Sequence, residues 1–128
     1  TIDIVNHRGG DLTNSDNVDH GIALIRDGRI AGAIICPPCE TWSAVRFVLL
    51  DDGPHKSPPP LRSRTTPWGL QGLSERQYQQ LQLGNRLLRV TLRCVLELVN
   101  AGRFAIVEHP GDDPRIGIRG VRSIVVSY

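Results

Sequence analysis

The sequence predicts an α/β domain: a small parallel sheet of three to four strands joined by crossover helices. Three observations lead there. Short apolar runs at residues 2–5, 30–35 and 104–107 alternate with helical repeats. The run at 30–35 is continuous rather than alternating, as in a strand buried on both faces. One long amphipathic segment separates the last two runs, which is the length a parallel crossover needs.

Taken in order, Thr1 to Val5 reads as a short strand, and Gly9 to Asp16 as a turn offering several N-caps. Val18, Ile22 and Ile25 then recur at helical spacing until Asp27-Gly28 stops the pattern, and Ile30 to Ile35 completes a β-α-β unit. Cys36-Pro37-Pro38-Cys39 ends that strand. Glu40 to Leu50 has the composition of a short helix whose free amides would face Cys39. Residues 51–72 form a proline- and glycine-rich loop, in which Arg62, Arg64 and Trp68 carry the binding chemistry. The best-signed element is a helix from Ser74 to about Asn100: Ser74 and Gln77 are spaced as a capping box and Gly102 is the stop. Its narrow polar face carries Gln82, Arg86, Arg89, Arg93, Glu97 and Asn100, with Arg93 and Glu97 spaced to pair. The rest is mostly leucine and valine, so other protein chains are expected to cover the 74–100 helix. Phe104 to Val107 is the third strand, ending in Glu108-His109-Pro110, and Arg119 to Tyr128 reads as a fourth. The organisation is thus an α/β domain over residues 1–110 and a tail over 111–128.

Composition excludes several classes. The 128 residues suit a single domain, and 40% hydrophobic with 22% charged residues is a globular balance. No apolar run approaches the roughly 18 residues of a membrane span. A net charge of +2 is too small to argue for nucleic acid by itself. Fourteen arginines stand against one lysine, Lys56, which suits bidentate phosphate or carboxylate contacts but is better read as the mark of a GC-rich coding sequence. Three cysteines, an odd number, argue against a disulfide scaffold and for reduced thiols. No targeting signal is legible, and the location in the cell is left open. Because the chain opens on Thr1 and holds no methionine, it is expected to be a segment of a longer protein.

The unusual residues fall at expected strand ends: Asp11, Cys39 and Glu108. Singly, each has an ordinary reading, Cys39 as a small buried residue and Glu108 as a capping or ion-paired carboxylate. Together, the order Gly10-Asp11-Leu12, strand, Pro37-Pro38-Cys39-Glu40-Thr41-Trp42-Ser43, long helix, strand, Glu108-His109-Pro110 resembles the middle of the cytosine-C5 DNA methyltransferase core, a Rossmann-like fold. The resemblance implies that the Cys39 thiolate adds to C6 of a flipped cytosine and that Glu108 holds the ring. It further implies that Pro38, Trp42 and Ser43 border the base, that Trp68 helps wall it, and that Asp11 touches S-adenosylmethionine. DNA is then the partner of a complete domain. Glu40, Trp42 and His109 replace the family's glutamine, phenylalanine and asparagine. The glycine-rich cofactor motif, the acidic ribose contact and the later Gln-x-Arg-x-Arg strand are absent from these residues, so the chain is expected to be inactive alone and to bind no S-adenosylmethionine.

Two rival readings stand beside this one: a non-catalytic accessory subunit of a larger assembly, and a C-x-x-C thiol redox module built on Cys36 and Cys39. A zinc site is not expected, because Pro37 and Pro38 have no amides to offer a thiolate knuckle. The methyltransferase-like reading makes a geometric demand: the strands ending at Ile35 and Val107 must be parallel neighbours.

Overall fold

The computed structural model describes residues 10–43, 46, 58–108 and 124–126. The expected strand at 1–5 lies outside them, as do residues 44–45 and 47–50 of the expected Glu40–Leu50 helix. Of that segment, residues 40–42 form a turn.

Helix α1 spans Ser15–Arg26, capped by Asn14, whose side chain accepts from the Asp16 N–H at 2.9 Å. It ends where Gly28 adopts a positive φ of 72°. Strand β1 is Gly32–Ile35, shorter than the expected 30–35 run, with Ile30 packed beneath as part of the core. Helix α2 runs Glu75–Asn100 behind a complete Ser74/Gln77 capping box, and Gly102, at φ 66°, turns the chain into β2, Phe104–Val107. Strand β3 is Ile124–Val126.

Strands β1 and β2 are parallel neighbours, with Gly32 opposite Phe104, Ala33 opposite Ala105, Ile34 opposite Ile106 and Ile35 opposite Val107. The fold is therefore α/β, with a two-strand parallel sheet and two helices. The expectation of a parallel sheet throughout fails at β3, which joins β2 antiparallel. A parallel return needs a crossover of a dozen or more residues, usually a helix. The sequence between β2 and β3, broken by Gly111, Pro114, Gly117 and Gly120, has no helical repeat to supply one.

Both helices lie against one face of the sheet. Val18, Ile22 and Ile25 of α1 meet Leu98 of α2 and Ala105 of β2, with Ala33 and Ile35 completing the layer. On the opposite face Phe104 lays its ring across Gly32, where an added Cβ would stand 2.2 Å from a ring carbon. That close approach explains the glycine. Ile34 on this face is 70% exposed.

The expected Arg93–Glu97 pair within α2 does not form. Arg93 bonds Asp19 at 2.9 Å, and Glu97 takes a two-pronged bond from Arg26 at 2.8 and 2.6 Å. With α1 lying alongside, both charges on the stripe find partners across the helix pair rather than one turn along it.

Candidate functional site

The carboxyl ends of β1 and β2 place the Pro-Pro-Cys loop and Glu108 at one edge of the sheet. The ladder continues one residue further, since the Glu108 N–H donates to the Ile35 carbonyl at 3.0 Å. This sets Cys36 beside Glu108 on the face that carries Ile34 and Phe104, because side chains two apart along a strand share a face. A hydrogen bond to the Glu108 carboxylate, then desolvation and the negative charge, hold the Cys36 thiol above its ordinary value of 9.0. The nearest thiol partner of Glu108 is thus Cys36. Cys39 lies three residues on, exposed, as are Pro38 and Glu108.

After Cys39 the chain turns sharply, with the Trp42 N–H bonded to the Cys39 carbonyl at 2.8 Å. The next residues are seated on α2 by one guanidinium. Arg62 donates to Thr41 Oγ1 from Nε at 3.2 Å and from Nη2 at 2.8 Å, and from Nη1 to Pro67 O at 2.8 Å and Asn85 Oδ1 at 2.7 Å. Its plane covers the Trp42 ring at 3.6 Å from the centroid. Asn85 in turn donates to the Trp68 carbonyl at 2.9 Å, and the two indoles meet edge to face at 6.4 Å. Arg62, Thr41 and Asn85 are all buried. Burial, with a smaller push from Arg46, lowers the Arg62 pKa to about 10. Arg62 was expected to offer binding chemistry from an open loop; it is instead enclosed, bonded to Asn85 on α2, with Leu61 beside it fully buried. Arg64 and Trp68 remain exposed, with Arg89 over the Trp68 ring at 5.4 Å. Trp42 gives one ring face to Arg62, so that face is not free to wall a base.

Ser43 points toward an open cleft of about 730 Å³, lined also by Glu40, Arg46, Pro59, Ser74 and Gln80. Arg46, buried, anchors its rim by donating to the carbonyls of Glu40 and Pro59.

Asp11 sits apart from these groups, in the turn before α1. Its Oδ1 accepts both the N–H of Thr13 at 2.9 Å and the hydroxyl of Thr13 at 2.6 Å. These bonds, with a smaller pull from Arg86, hold the carboxyl below its ordinary value of 3.8. Cys94 is half-buried between the helices, and burial pushes its thiol up. Among the described residues no cluster of three or more His, Cys, Asp or Glu side chains is arranged to hold a metal, and no helix is long and apolar enough to cross a membrane.

The Arg62 clamp and the Cys36–Glu108 pair are the features that sequence reasoning did not name. The first had a signal: a glycine in the middle of a long helix, Gly84, marks close approach of another segment. Comparison with protein-family models, with curated proteins and with solved structures finds no match.

Proposed function

We propose that this chain is the base-handling middle of a cytosine-C5 methyltransferase-like core, inactive in methyl transfer by itself. The observation that carries the reading is the parallel β1–β2 pair, whose common carboxyl edge bears Pro37-Pro38-Cys39 on one strand end and Glu108 on the next. Exposed Cys39 is the nucleophile of this reading. Its thiolate sulfur forms the bond to C6 of cytosine, and the C5–C6 π electrons move onto C5. Glu108 accepts from the exocyclic amino group; a carboxylate has about four acceptor positions, so the Cys36 bond leaves room for this.

S-adenosylmethionine fits the described residues poorly. Asp11 is the one carboxylate that the resemblance offers it, and Oδ1 of Asp11 is committed to Thr13. No step is therefore assigned to that cofactor. Calorimetric titration of the chain with S-adenosylmethionine is expected to give no binding, and a micromolar dissociation constant would overturn the reading of inactivity.

A second reading, an accessory chain packed within a larger assembly, is favoured by one observation. Leu92 and Leu96 on α2 are 54% and 59% exposed, and Ile34 and Phe104 leave the outer sheet face uncovered among the described residues. Parallel strands ordinarily have both faces covered, and apolar surface of this kind marks an interface. A monodisperse monomer at high concentration, unaffected by Leu92→Glu, would count against it.

A further inference from the structure

We propose that Arg62 is the positioning residue of the Pro-Pro-Cys loop, a clamp that fixes the turn from Cys39 to Trp42 against α2. Its fork reaches three separate segments: Thr41 after β1, the Pro67 carbonyl in its own loop, and Asn85 on the helix. Thr41 is two residues from Cys39, and Trp42 is tied to Cys39 through its backbone N–H. Holding Thr41 and the Trp42 ring therefore holds the turn on which Cys39 sits. The acceptors are a hydroxyl, a carbonyl and an amide, all neutral, and the remaining compensation comes from the Trp42 face. A buried cation without a carboxylate partner is a costly route to stability. What it supplies is direction, since a planar guanidinium fixes several acceptors in one plane where a lysine ammonium cannot. Gly84 completes the device: a Cβ there would stand 2.7 Å from Thr41 Oγ1 and 3.1 Å from Arg62 Nη2, so the clamp closes only over glycine.

The bearing of this clamp on base handling rests on the function proposed above, but its test does not. The full chain has only two tryptophans, Trp42 and Trp68, and they are coupled edge to face, so their exciton couplet in circular dichroism reports the loop's seating. Hydrogen exchange at the Trp42 amide reports the turn itself. Arg62→Met, Arg62→Lys and Thr41→Val are each expected to weaken the couplet and to speed Trp42 exchange on the order of tenfold. The Arg62→Met/Thr41→Val double variant should go no further than Arg62→Met alone. Arg26→Gln, which cuts a bridge between α1 and α2, is the control and should change neither signal. Retention of both signals by Arg62→Lys, or acceleration at Trp42 no greater than in α1, would overturn the proposal. Should Arg62→Met fail to fold, Thr41→Val alone decides, since unchanged exchange there is equally fatal.

Discussion

Two glycines in helix interiors should respond oppositely to the same substitution. Alanine is preferred over glycine in a helix by about 0.8–1.0 kcal/mol. At Gly21 of α1 a new Cβ meets nothing within 4 Å, so Gly21→Ala should stabilise the chain by about 0.5–1 kcal/mol. At Gly84 the same methyl would stand 2.7 Å from Thr41 Oγ1, where ordinary contact begins at 3.4 Å. Thr41 must move, and it accepts from a buried guanidinium at two points. Hydrogen bonds to charged groups contribute about 1.5–3 kcal/mol. Set against the helix preference, the net loss is about 0.5–2 kcal/mol, a fall in Tm of roughly 2–12 °C for a chain of this size. Denaturant titration of both variants beside the parent measures the two signs directly. A Gly84→Ala chain as stable as the Gly21→Ala chain would refute the close packing of Thr41, Arg62 and α2.

Two further outcomes follow from titration. Asp11 has its folded pKa held below 3.8 by Thr13, so the associated stability is fully present above pH 3.8 and is lost as pH falls through the lower folded value. Thr13→Val should therefore be less stable than the parent above that pH, with the gap closing at lower pH; a gap independent of pH would remove the Thr13 bonds as its cause. Cys36 is raised by Glu108, so in a Cys39→Ser/Cys94→Ser background Glu108→Gln should lower the apparent pKa of Cys36 alkylation toward 9.0 and speed labelling in mildly alkaline buffer. An unchanged pH profile would contradict the pairing.

Local signals carried much of the fold. Ser74, Gln77 and Gly102 marked the ends of α2, Asp27-Gly28 ended α1, and the apolar runs located β1 and β2. These depend on neighbours within a few residues, which a sequence displays directly. What was not legible depends on distant segments. Arg93 and Glu97 are one turn apart, yet their partners, Asp19 and Arg26, come from α1, tens of residues away. The direction of β3 is set by the kind of connection before it, not by its own alternation. At the site, the common edge for Cys39 and Glu108 was inferable from a parallel crossover, whereas the Cys36–Glu108 pair follows from register, and a one-residue slip would have put Cys36 on the other face. Arg62 reads as a loop cation until Asn85 and Gly84 are seen to bring loop and helix together.

The proposed function requires that Cys39 and Glu108 converge over one base-sized space at the sheet edge. It is tested most directly by cross-linking. In a Cys36→Ser/Cys94→Ser background, Glu108→Cys leaves thiols at positions 39 and 108 only. A bifunctional thiol reagent about as long as a pyrimidine is wide should then join them within the chain. Arg62→Met, by releasing the loop, should lower the yield. Cross-linking at a predominantly intramolecular stoichiometry supports the methyltransferase-like geometry. Absence of the link, in a chain whose circular dichroism is unchanged, would contradict it and leave only an α/β domain with an unrelated edge.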